Sequence, residues 1–151
     1  ALGAKVFRGS DPEVGIYDVE LTEAAGSDPV FAGLPSDFPV FQWHGDTFEL
    51  PSGARHLARS AMFPNQVFAV GSAYAIQFHV EVTAGLAAQW AEIEAYSSAL
   101  EAIYGPGATE KVLGDLNDNL SNLAKIATSI FEAWLDNYVA VEANTSVRFS
   151  Q

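Results

Sequence analysis

Apolar residues alternate with Gln77, His79 and Glu81 along Ala73-Tyr74-Ala75-Ile76-Gln77-Phe78-His79-Val80-Glu81-Val82. Strict alternation predicts a half-buried β-strand with those three polar side chains on one face. Thr83 follows as an N-cap, and from there the period lengthens to that of a helix. Leu86, Trp90, Ile93, Ser97, Leu100 and Tyr104 share one stripe, closed by the stop signal Gly105-Pro106-Gly107. A second helical pattern runs through Leu113, Leu116, Leu120, Leu123, Ala127, Ile130, Trp134 and Tyr138, with a break expected around Gly114 and the polar cluster Asp115–Asn119. These helices are read as packing on the body of the domain, with a partner-binding face as the alternative. Residues 142–151 read as a polar tail.

Upstream, the pattern is that of short strands. Leu2-Gly3-Ala4-Lys5-Val6-Phe7 reads as a helix end, a glycine cap and the next strand, so the numbered sequence is expected to begin inside a structure. Gly9-Ser10-Asp11-Pro12 has turn chemistry, and Gly15 to Thr22 reads as a strand through Ile16, Val19 and Leu21. Asp28-Pro29 and Asp37-Phe38-Pro39 read as connectors. Val40-Phe41-Gln42-Trp43 is an apolar run that stops at His44-Gly45-Asp46, a tight loop whose backbone N–H groups are expected to face a ligand. Arg55–Ser60 and Gln66–Gly71 then form a meander that delivers the chain to the Ala73 strand. His56 is expected on an exposed strand face, without a role.

Nearly half the residues, 49%, are apolar in 151, which fits one domain with a real core, strand-rich over 1–82 and helical over 83–141. Seven basic against nineteen acidic residues give a net charge of -12, and no Lys/Arg cluster exists to displace counterions, so nucleic acid and anionic membrane are excluded as expected partners. No stretch has the length of a membrane span or the layout of a signal peptide, so a cytoplasmic protein is expected. The chain has no cysteine. It therefore carries no thiol nucleophile or cysteine metal site, and no metal or cofactor is expected.

The candidate chemistry lies at His79 and Glu81, a base and a carboxylate two positions apart at the end of a strand, where open α/β sheets place their ligand sites. Spacing alone is weak, because a solvated histidine is the commoner reading. Trp43, His44, Gly45 and Asp46 form the second candidate group; core packing for Trp43 and a plain turn for His44 and Asp46 are the alternatives.

Taken together, Val40-Phe41-Gln42-Trp43-His44-Gly45-Asp46-Thr47-Phe48-Glu49-Leu50-Pro51 and the later Gln77-Phe78-His79-Val80-Glu81 resemble the C-terminal half of a class I glutamine amidotransferase domain of the GMP-synthase-like kind. Val19-Glu20-Leu21-Thr22 and Asp28-Pro29-Val30-Phe31-Ala32-Gly33-Leu34-Pro35 extend the resemblance, which covers residues 3–104 and thins in the last helices. It implies an α/β fold, part of a flavodoxin-like domain, with the C-terminal strands of a mixed sheet followed by C-terminal helices. It also implies a Cys-His-Glu triad that hydrolyses the side-chain amide of glutamine to glutamate and ammonia. His79 matches the family base and Glu81 its orienting carboxylate. Trp43, His44, Gly45 and Asp46 align with the segment that grips the amino-acid end of glutamine.

The sequence departs from that pattern at the nucleophile. The family cysteine belongs to a Gly-x-Cys-x-Gly-x-Gln elbow that would precede Ala1, and no serine here stands in an equivalent turn. The chain alone is expected to be inactive: it reads as a truncated piece of a full amidotransferase, with a chain that pairs with a partner supplying the N-terminal half and its cysteine as the alternative. A homo-oligomer is expected where the exposed edge pairs with itself. A non-catalytic scaffold of the same fold and a γ-glutamyl peptidase or hydrolase are the alternatives. An unpaired sheet edge, or a large apolar surface, is expected where the remainder would dock.

Overall fold

The computed structural model describes residues 2–139. Five strands form one sheet in the order β2-β1-β3-β4-β5, with β1 at Val6–Leu21, β2 at Asp37–Phe48, β3 at Arg55–Ser60, β4 at Val67–Val70 and β5 at Ala73–Ile76. Every pairing is antiparallel. The class is α/β as expected, while the mixed character expected of the sheet is not seen among the described residues. The β3-β4-β5 meander follows the predicted order, because Pro64-Asn65 and Gly71-Ser72 interrupt the apolar runs at each corner.

The first two strands depart from the expected loops. Gly9-Ser10-Asp11-Pro12 does not turn the chain; it forms an irregularity inside β1, between the pairs Arg8↔Asp46 and Glu13↔His44. Four residues of β1 thus face Gly45 alone, a widened bulge that keeps both flanks of the ladder intact. Gly9 is required there, since a Cβ would lie 2.3 Å from the ring of Phe63. The same pairing corrects the reading of His44-Gly45-Asp46. These residues are not a loop at a strand end but lie within β2, because β1 runs on opposite them and supplies partners to His44 and Asp46. Pro39 is tolerated in β2 because that strand lies at the edge of the sheet.

The Ala73–Val82 strand is also shorter than predicted. β4 begins at Val67, whose partner is Ile76, so the ladder has no neighbour beyond that point. Gln77 N–H still donates to the Gln66 carbonyl at 2.9 Å, and the chain then crosses to the outer edge of β2. There His79 forms an isolated bridge with Phe41, with His79 N–H donating at 2.8 Å and Phe41 N–H at 3.2 Å. Alternation nevertheless survives: Phe78, Val80 and Val82 are buried, whereas Gln77, His79 and Glu81 are not.

Three helices cover the sheet: α1 at Ala84–Ala91, α2 at Glu94–Tyr104 and α3 at Ala108–Trp134. Thr83 caps α1, its Oγ1 accepting from Leu86 N–H at 3.2 Å. The single helix expected from Leu86 to Tyr104 is instead two, because Ile93 takes an extended conformation at φ −73°, ψ 108°. Gly105, at φ +90°, ends α2 as predicted. α3 is continuous through Gly114, where no break occurs; its buried residues Val112, Leu116, Leu123, Ile126 and Ile130 carry one apolar seam across the glycine. An interior glycine costs about 1 kcal/mol in helix propensity, too little to interrupt that seam.

Asp28, expected in a connector, is a buried anchor instead. Its carboxylate accepts from the N–H groups of Val30 (2.9 Å) and Phe31 (3.3 Å), from Tyr74 Oη (3.0 Å) and from Arg55 Nη2 (2.8 Å). It follows a short 3-10 turn at Glu23–Ser27 and ties it to β3 and β5. Tyr74 Oη also lies 3.3 Å from Tyr138 Oη, in the π-helical turn Leu135–Val139. The Tyr74 hydroxyl is held far above its ordinary pKa by burial and by these hydrogen bonds. The expected polar tail lies outside the described residues.

Candidate functional site

His79 and Glu81 meet where the chain leaves β5 and approaches β2. His79 Nδ1 lies 2.8 Å from Glu81 Oε1, and Glu81 Oε2 accepts from Val80 N–H at 3.0 Å. A carboxylate accepts, so Nδ1 carries the proton and Nε2 offers its lone pair. The contact to Glu81 is the one side-chain hydrogen bond of His79 among the described residues, and Nε2 makes none. Burial pushes the Glu81 carboxyl up, but the hydrogen bond from His79 and those from backbone N–H groups outweigh it and leave it below its ordinary value. The side chains are 30% and 54% exposed, so their contact contributes no more than about 1 kcal/mol to stability. Their arrangement suits orientation rather than anchoring.

One aromatic side chain meets the imidazole, and others back it. Trp90, from the last turn of α1, stands edge-to-face to His79 with centroids 5.1 Å apart and planes at 63°. Behind it lies Trp43 of β2, 5.7 Å from Trp90, and Trp43 in turn contacts Phe41 and Tyr96. Trp90 was legible only as a member of a helical stripe. No periodicity distinguishes an apolar residue that packs on the core from one that packs on a histidine.

The second candidate group enters one cleft. Trp43, His44, Gly45 and Asp46 line a cavity of about 570 Å³ together with Gln77 and Tyr96. His79 does not line it, and joins it only through Gln77 and the Trp43–Trp90 contact. Within the group, His44 turns inward: its side chain is 7% exposed, its Nδ1 donates to the Asp46 carbonyl at 2.9 Å, and its ring packs on Phe63 at 4.8 Å. Its Nε2 faces Glu13 Oε2 at 3.6 Å. Glu13, fully buried, accepts from Ser60 Oγ at 2.7 Å and Gln66 Nε2 at 2.9 Å. Sequence does not reveal this network, because Glu13 falls between the turn chemistry of Gly9–Pro12 and the strand pattern that begins at Gly15. His56 is half-buried rather than exposed, with Nε2 3.0 Å from the Ala58 carbonyl. Among the described residues no group of three or more His, Asp and Glu side chains is placed to hold a metal, and no helix is long and apolar enough to cross a membrane.

No family model matches the chain. A glutamine amidotransferase-like protein of Salmonella typhimurium is 38% identical over 84 residues, covering 55% of this chain and 35% of the relative. The GMP synthase of Syntrophomonas wolfei is 30% identical over 159 residues, covering 93% of this chain and 30% of that protein. Among solved structures, a glutamine amidotransferase of Thermotoga maritima superimposes with a TM-score of 0.76 at 34% identity, over 90% of this chain and 56% of that one. A Methylobacillus flagellatus glutamine amidotransferase, at 24% identity and a TM-score of 0.74, shares the fold. The fold is that of part of a class I glutamine amidotransferase domain, and the sequence relatives are glutamine amidotransferase-like proteins and GMP synthases. Within that class it is GMP-synthase-like. It spans about a third of the length of these two curated relatives and just over half of the Thermotoga chain.

Proposed function

We propose that this chain supplies the base and its orienting acid to a glutamine amidotransferase site, while a cysteine outside the 151 residues supplies the nucleophile. The observation that carries this reading is the 2.8 Å contact between His79 Nδ1 and Glu81 Oε1, which leaves Nε2 unpartnered. Nε2 takes the thiol proton, and the thiolate attacks the side-chain amide carbon of glutamine. As the C–N bond breaks, His79 returns that proton to the departing nitrogen, which leaves as ammonia. Nε2 next takes a proton from water; the hydroxide cleaves the thioester, the proton returns to sulfur, and glutamate leaves. Glu81 holds the imidazole in the tautomer both half-reactions need and stabilises the imidazolium between them. The cleft lined by Trp43, His44, Gly45 and Asp46 holds the amino-acid end of glutamine.

The test is ammonia release from glutamine. The chain as given releases none, and a protein extended through a Gly-x-Cys-x-Gly-x-Gln segment, in cis or on a partner chain, releases it and loses turnover on His79→Ala. Ammonia release by the cysteine-free chain, or an extended protein indifferent to His79→Ala, overturns the assignment. Assaying γ-glutamyl peptides beside glutamine separates an amidotransferase from a γ-glutamyl hydrolase using the same groups.

A further inference from the structure

We infer that Trp90 is a positioning residue for the His79 imidazole, an inference that rests on the base role proposed for His79. The hydrogen bond to Glu81 fixes one ring atom and leaves the ring plane free to rock about it. With both side chains partly exposed, water competes for that bond from either side. Trp90 closes one of those sides, meeting the imidazole edge-to-face at 5.1 Å.

The placement of Trp90 is itself fixed from two directions. Thr83 sets the start of α1 immediately after Glu81, so the last turn of the helix swings Trp90 back over the segment that carries His79. Trp43 then packs on the indole at 5.7 Å, and Trp43 stands two residues from Phe41, whose backbone bonds to His79. The circuit Phe41, Trp43, Trp90, His79 is closed: backbone hydrogen bonds form one link and aromatic contacts the others. A smaller apolar residue at position 90 would fill the helical stripe equally well but would leave the imidazole without a wall.

The experiment is long-range 1H–15N NMR of the His79 ring in the full 151-residue chain in mildly alkaline buffer, with the signals assigned by loss in His79→Gln. The native chain and Trp90→Phe show the Nδ1–H tautomer in excess. Trp90→Met, which keeps apolar bulk without a ring, lowers the Nδ1–H to Nε2–H ratio about threefold or more. An unchanged ratio in a Trp90→Met chain with native circular dichroism overturns the inference. If that variant does not fold, Trp43→Leu decides instead, since it removes the buttress and leaves Trp90 in place: a fall in the ratio supports the inference and an unchanged ratio overturns it. These spectra need no nucleophile, so a failed glutaminase assay leaves this test intact, and an unchanged tautomer leaves the glutaminase reading to its own assay.

Discussion

The Glu13 carboxylate and the His44 imidazole face each other across β1 and β2 at 3.6 Å, both inside the protein. Two donors, Ser60 Oγ and Gln66 Nε2, complete the environment of Glu13. Removing the carboxylate takes the shorter acceptor from Ser60 Oγ, which keeps only the Phe63 carbonyl at 3.4 Å, leaves Gln66 Nε2 only its contact to Ser60 Oγ at 3.0 Å, and leaves the buried ring facing no acid. Glu13→Ala is therefore expected to cost about 3 kcal/mol, and Glu13→Gln, which keeps one acceptor, less than half as much. Urea unfolding midpoints of the two variants check the order.

Asp28 and Arg55 form a second inward-facing tie, with unequal ends. The Asp28 side chain is fully buried and that of Arg55 is 42% exposed. Truncating the buried partner leaves the N–H groups of Val30 and Phe31 and the Tyr74 hydroxyl without their acceptor. Asp28→Ala is expected to destabilise the fold by about 3 kcal/mol, whereas Arg55→Ala stays near 1 kcal/mol because water reaches the guanidinium. Thermal unfolding of the pair shows whether the asymmetry holds.

The Glu81 carboxyl sits below its ordinary value in the folded chain. A depressed carboxyl contributes stability above its unfolded pKa and loses it as pH falls through the folded one. The difference in stability between the native chain and Glu81→Gln should be present at neutral pH, no larger than about 1 kcal/mol given the exposure, and vanish in acid below the carboxylate range. Denaturant titrations at several pH values measure it; a gap that widens in acid contradicts the sign.

In the protein extended to include a nucleophile, His79→Ala is expected to lower kcat by about 10²–10⁴-fold. Glu81→Gln should fall short of that loss, because the base survives without its orienting acid. KM for glutamine should move little in either variant, since neither side chain lines the cleft of Trp43, His44, Gly45 and Asp46. Steady-state glutaminase kinetics separate the two parameters.

Thr83→Ala removes the acceptor for Leu86 N–H and is expected to cost about 1 kcal/mol. Its circular dichroism should show loss confined to a short helix, with α3 retained.

The elements that sequence revealed were those whose cause is local. Alternation placed Gln77, His79 and Glu81 apart from Phe78, Val80 and Val82 even though the regular strand stops at Ile76. Thr83 and Gly105 marked helix ends because capping is decided by neighbouring backbone groups. The misread elements depended on partners distant in the chain. Gly9 to Pro12 and His44 to Asp46 have turn chemistry, yet each segment stays extended because the other lies beside it. Asp28 reads as a connector residue and Glu13 belongs to no predicted element, and only the tertiary structure shows the donors that allow them to be buried. Trp90 could be assigned to a helix face but not to the imidazole it meets.

The bridge between Phe41 and His79 makes the imidazole a passenger of β2. An insertion or deletion in the widened bulge of β1 that slid β2 by one residue would carry the ring about 3.4 Å along the strand and reverse which neighbours face it. The length of a segment that touches no substrate would thus set how far the base stands from any incoming sulfur.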